Sequence, residues 1–135
     1  MKTIGFVAVS KDWYISRSPD KHQEWSNEDY EFFIRETKRI GAVVMGNRSW
    51  KFIPDERKPL QGRFSLVFTR NADLISNPPY PQDKVLYWNG TSQAALDHLE
   101  AMGFDSVALL GGSEIFSLFH KAGLIDELWI TAEPE

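Results

Sequence analysis

The chain has 135 residues, 42% of them apolar and 13% aromatic, enough to bury the core of one domain and too apolar to remain disordered. A formal net charge of −4 is unsuited to wrapping nucleic acid, and the absence of cysteine excludes disulfides, thiolate catalysis and thiolate metal sites. No stretch approaches membrane-spanning length and the apolar part of the first ten residues is too short for a secretory signal, so a cytoplasmic protein is expected.

Residues 4–9 are nearly continuously apolar and predict a central strand buried on both faces. Residues 11–25 form a long polar loop, which in a small domain is more often functional than idle. Ser26 opens a helix with Asp29 three positions on as a weak capping box. Tyr30, Phe33, Thr37 and Ile40 mark its inner face and Gly41 closes it. Residues 42–45 read as a second buried strand, followed by Gly46, Asn47, Arg48 and Ser49 and a short helical turn with Trp50 and Phe52. Residues 54–62 read as a loop, and residues 64–68 as a third strand ending in Thr69 and Arg70. The proline-rich residues 77–81 form a surface connection, and residues 85–87 a short strand.

Thr91 or Ser92 caps a helix carrying Ala95, Leu96, Leu99 and Met102, stopped by Gly103. Residues 107–110 are a further buried strand, broken by Gly111 and Gly112. From Ser113 the residues Ile115, Phe116, Leu118 and Phe119 recur at helical spacing. Residues 126–131 form the last strand. Strands alternating with helices imply a mostly parallel sheet covered on both faces, with ligands bound beyond the carboxyl ends of the strands. Three junctions fall on that edge: Gly46 to Ser49, Thr69 with Arg70, and Gly111 to Glu114. A helix start behind two glycines suits a phosphate, through free N–H groups and the dipole. The same turn could equally need glycine for its backbone alone.

The segments VVMGNRSW, KPLQGRFSLVFTR, VALLGGSEIF and DELWIT resemble, in order and spacing, the dihydrofolate reductase superfamily, which includes the reductase domain of riboflavin biosynthesis. The resemblance runs over the whole chain. It implies an α/β fold, a three-layer α/β/α domain over residues 1–135 with a mostly parallel central sheet. The C-terminal antiparallel strands of relatives have no counterpart, so the last strand would present an open edge, which implies a fragment, a homodimer that covers the edge, or a reduced protein that no longer catalyses.

The resemblance further implies NADPH as cofactor, no metal, no nucleic acid and no membrane partner. Ala8 and Ile15 would flank the nicotinamide. Gly46, Asn47, Arg48 and Ser49 would line the phosphates, with Thr69 and Arg70 near the 2′-phosphate. Gly111 and Gly112, joined by a cis peptide, would meet the pyrophosphate, and Leu110, Ser113, Glu114 and Ile115 would also belong to the cofactor site, Glu114 repelling a pyrophosphate if it points inward. Phe6, Val7, Ala8 and Phe33 would contact the substrate heterocycle, and Arg63 would grip the carboxylate of a folate tail. Asp29 would be the lone ionisable group of the pocket, supported by Thr131. Asn47 stands where many relatives have arginine, which leaves the 2′-phosphate to Arg48 or Arg70.

These residue types suit hydride transfer to a C=N bond, which needs two flat rings held face to face and a proton delivered to nitrogen. Reduction of 7,8-dihydrofolate is the expected reaction, with the ribosylaminouracil of riboflavin synthesis as the alternative acceptor and an inactive nucleotide-binding or interaction module as a reading of another class. Read without the family, Asp29 is an acidic residue favoured by the helix dipole, Arg63 a solvated loop arginine, and His22, His98 and His120 surface residues.

Overall fold

The computed structural model describes residues 1–9 and 27–132. Six strands form one sheet: β1 (Lys2–Val9), β2 (Ala42–Gly46), β3 (Phe64–Phe68), β4 (Val85–Trp88), β5 (Ser106–Gly111) and β6 (Glu127–Ala132). Their order across the sheet is β4-β3-β2-β5-β1-β6, and every pairing is parallel. The helices are α1 (Asn27–Ile40), α2 (Asn47–Lys51), α3 (Ala72–Ser76), α4 (Ser92–Ala101) and α5 (Ser113–Lys121), with a 3-10 turn at Asp55–Arg57. None of the described helices is long and apolar enough to cross a membrane.

The expected α/β architecture is present. Alternation along each buried strand sorts the core into two halves. Ala42, Val44, Leu66, Val107 and Leu109 face one side, where Ala95, Leu96 and Leu99 of α4 and Ile115 and Phe119 of α5 cover them. Val43, Met45, Val67, Val85 and Ala108 face the other, under Ile40 of α1, Trp50 of α2, and Leu74 and Ile75 of α3. Strand order explains this division. The chain moves one way across the sheet from β1 through β4, then reverses to place β5 and β6. Crossovers of one hand put helices of opposite travel on opposite faces.

Local chemistry fixes the element ends. Gly41, at φ +92°, closes α1 as expected: its N–H donates to the Thr37 carbonyl at 2.8 Å, and its own carbonyl accepts from Phe64 N–H at the start of β3. Thr91, rather than Ser92, caps α4, its hydroxyl accepting from Ala94 N–H at 3.0 Å. The sequence reading has no counterpart for α3, a short helix opened by the Asn71 side chain accepting from the N–H groups of Asp73 and Leu74. Asp126, read as the first residue of the last strand, stands just ahead of it. Its carboxylate accepts from Thr3 N–H at 2.8 Å, pinning the start of β6 to β1. Ser26 and the loop 11–25 lie outside the described residues.

Among the described residues β6 pairs only with β1, and Leu128 on it is 53% exposed. The strand is braced from within. Trp129 packs on Phe6 and Phe32, and its indole N–H donates to Glu127, which also pairs with Lys2.

Candidate active site

The carboxyl ends of β3, β2 and β5 are neighbours, and that adjacency builds the site. Gly46 pairs with Phe68, and Met45 with Gly111, so the chain leaves all three strands within a few residues of the same line. The β2–β5 register slips between Val44 and Met45, which pair with Leu109 and Gly111, leaving Leu110 as the extra residue of a bulge. Leu110 lines a cleft on the face that also carries α1 and α2. A bulge of this kind bends the strand and re-aims its side chains.

The Gly111–Gly112 peptide is cis, as the resemblance implies. Gly111 has φ +117°, a conformation that side chains rarely adopt. A Cβ on Gly112 would meet the Ser49 hydroxyl at 3.4 Å, and one on Gly46 would meet Ile115 at 3.1 Å. The turns after β2 and β5 therefore lie side by side, tightly at Gly46 and within ordinary van der Waals range of Ser49 at Gly112. Both helices that begin there, α2 at Gly46 and α5 at Gly112, start without a side-chain cap, whereas α3 and α4 are capped by Asn71 and Thr91. That donor-rich cradle beside the Ser49 hydroxyl fits the phosphates of a dinucleotide. Arg48, in the first turn of α2, and Arg70, two residues past the end of β3, are exposed. Thr69 is half-buried: its N–H donates to Trp88, and its hydroxyl accepts from Asn71 N–H at 3.1 Å. Glu114 and Ser113 are exposed in the first turn of α5, while Ile115 turns into the core.

The cleft itself has a volume of about 1620 Å³. Phe33 and Ile34 of α1, Met45 and Leu110 of the sheet, Ser49 and Phe52, and the segment from Ile53 to Phe64 line it. It thus brings Phe33, Arg63, Leu110 and Ser49 of the expected site residues together. Phe6 is buried and packs edge-on to Phe33 at 5.9 Å. Asp29 falls on the first turn of α1, one turn ahead of Phe33, and the backbones of Ala8 and Thr131 pair directly between β1 and β6. The side chains of Asp29, Val7, Ala8 and Thr131, and all of Ile15, lie outside what is described.

Arg63 is half-buried immediately before β3. Its Nε donates to the Gln61 carbonyl at 3.1 Å and its Nη1 to the Thr37 hydroxyl at 3.4 Å. Lys38, Arg57, Lys58 and Lys84 share the lining with it, against Glu56 and Asp83, so an acidic protein carries a largely cationic cleft. Sequence reasoning missed Lys58 within its loop. Its side chain is 7% exposed, and the ammonium donates to the Trp50 carbonyl at 3.1 Å, pairs with Asp55 at 3.5 Å and lies over the Trp50 ring. Such a lysine binds the loop to α2 and so holds one wall of the cleft. The available signal was its place directly before Pro59 in the KPLQGR segment. Trp50 is fixed in turn by donating its indole N–H to the Tyr87 hydroxyl at 3.1 Å, and burial of that phenol raises its pKa above the ordinary value, partly offset by the Trp50 bond.

Comparison with known proteins accords with this geometry. The family model described as dihydrofolate reductase matches residues 4–132. The dihydrofolate reductase of Heliothis virescens is 34% identical over 85 residues, which are 62% of this chain and 44% of that protein. The dihydrofolate reductase of Schistosoma mansoni is 32% identical over 120 residues, 82% of this chain and 60% of that protein. The chain therefore spans about half the length of these relatives. The solved structure of Schistosoma mansoni dihydrofolate reductase superposes with a TM-score of 0.74 at 26% identity, covering 98% of this chain and 73% of that one. With its parallel sheet, its glycine turn and its cationic cleft, the chain belongs to the dihydrofolate reductase family.

Proposed function

We propose that the chain is an NADPH-dependent reductase that transfers a hydride to a pteridine-like ring, converting 7,8-dihydrofolate to tetrahydrofolate. The observation that carries this reading is the contact of the Gly112 turn with Ser49 beside a cleft lined by Phe33, Leu110 and Arg63. NADPH, when bound, supplies the hydride. The N–H groups opening α5 and the Ser49 hydroxyl hold its diphosphate, and Arg48 and Arg70 attract the additional phosphate. Phe33 and Leu110 give flat apolar walls that keep the acceptor ring parallel to the nicotinamide and keep water from the reacting face. Arg63 receives the carboxylate of the folate tail. The Asp29 carboxylate would hydrogen-bond the amidine-like edge of the ring and favour its protonated form, the proton on nitrogen coming from solvent.

The test is a titration with NADPH and NADH in parallel, followed by the nicotinamide absorbance after adding dihydrofolate, with ribosylaminouracil as the control acceptor. Tighter binding of NADPH and loss of absorbance with dihydrofolate alone are expected. Binding of NADPH with no loss of absorbance on either acceptor would replace the reductase with a nucleotide-binding module.

A further inference from the structure

Two strand glycines let the first turn of α5 settle close on the sheet. The helix begins where β5 ends, and the strands on either side of β5, β2 and β1, each carry a glycine on the face that α5 covers. On β2 it is Gly46, where a Cβ would come to 3.1 Å from Ile115. On β1 it is Gly5, where a Cβ would come to 2.7 Å from Phe116 Cε1 and 2.8 Å from Leu128 Cδ2. Gly5 is buried and has no positive φ, so space and not backbone conformation demands glycine there. The Phe116 ring leans back toward the start of its helix, as helical aromatic side chains do, and its Cε2 would lie 3.5 Å from a Cβ on Gly111. One half-buried ring thus spans from β1 to the glycine turn, while the Phe116 N–H closes the first turn of α5 by donating to the Gly112 carbonyl at 3.0 Å. The three N–H groups ahead of it, on Ser113, Glu114 and Ile115, are those that a helix leaves without a carbonyl of its own. Their height over the sheet follows from how deep Ile115 and Phe116 sit in the two glycine notches.

We propose that Phe116, seated on Gly5, is a positioning residue that sets the first turn of α5 for the diphosphate of the cofactor, so that the size of residue 5 on β1 controls cofactor affinity. This rests on the NADPH reading given above. The experiment compares NADPH with adenosine 2′-phosphate, which lacks the diphosphate, by isothermal titration, so that no turnover is needed. Wild type, Gly5→Ala, Phe116→Leu and the double variant are measured. Gly5→Ala should displace the ring and the turn behind it and weaken NADPH about tenfold, the effect of one hydrogen bond to a charged group, with adenosine 2′-phosphate unchanged. Phe116→Leu, which adds no bulk and leaves the notch partly empty, should weaken NADPH severalfold, and it decides the matter if Gly5→Ala does not fold. In the double variant the smaller leucine makes room for the new methyl group, so NADPH should bind more tightly than to Gly5→Ala alone. Either single variant binding NADPH as wild type does, equal losses on both ligands, a double variant as weak as Gly5→Ala, or a wild type that binds NADPH no better than adenosine 2′-phosphate would each overturn the proposal. NADPH bound in the expected pattern without hydride transfer would instead leave it standing and sink the reductase reading alone.

Discussion

Gly112 faces Ser49, and a methyl group on the glycine would come into van der Waals contact with the serine hydroxyl at 3.4 Å. Because Gly112 has φ −74°, alanine fits its backbone, and Gly112→Ala is expected to keep the fold while filling the phosphate cradle. NADPH affinity should fall at least about tenfold, the loss of roughly one good hydrogen bond. Gly111→Ala, at φ +117°, should instead cost about 1–3 kcal/mol of stability. Fluorescence titration and urea unfolding separate the two effects, and an alanine at 112 that leaves NADPH binding intact would remove the cradle.

Asp29→Asn should slow hydride transfer by orders of magnitude while NADPH affinity stays near that of wild type, because the amide cannot stabilise a protonated ring. Single-turnover measurements of nicotinamide oxidation check this, and equal rates would take Asp29 out of the mechanism.

Trp50, 2% exposed, anchors the short helix that carries Ser49. Trp50→Phe loses the bond to Tyr87 and leaves the phenol buried without its donor, at a cost of about 2 kcal/mol. Tyr87→Phe should cost about 1 kcal/mol. A double-mutant cycle should find the two changes less than additive, and strict additivity would show that the bond contributes nothing.

The Tyr87 phenol makes a prediction about alkaline pH. Its pKa in the folded state is raised above 10.0, chiefly by burial, so the folded chain holds the proton more tightly than the unfolded one. The associated stability is fully present below pH 10.0 and is lost as pH rises through the higher folded value. Ultraviolet titration should resolve one late-ionising tyrosine that Tyr87→Phe abolishes.

Lys58→Met keeps the apolar stem but removes the ammonium from Trp50 and Asp55. A loss of about 1 kcal/mol is expected, with faster amide hydrogen exchange confined to residues 54–62. Unchanged exchange there would show that the loop is held by its apolar contacts alone.

The strands were legible because each is a short, nearly continuous apolar run, and Gly41, Thr91 and the Gly111–Gly112 turn are local signals that need no partner to be read. The helix α3 was not, since Ala72–Ser76 is too short for periodicity and depends on the Asn71 cap. Lys58 and Tyr87 were invisible as partners of Trp50 for another reason: each lies on a different element, and only the sheet order brings them to one indole ring.

From its sequence alone the chain specifies an alternating α/β domain and the glycine turn at the end of β5, and it carries the ordered motifs that resemble the dihydrofolate reductase family. Those are properties of short segments, fixed by backbone sterics and by the burial of apolar runs. The tertiary structure decided that the turns after β2 and β5 lie side by side, that Phe6 packs on Phe33, and that Thr37 receives Arg63. Strand order and the bulge at Leu110 set these meetings, and both arise from packing between residues far apart in the chain.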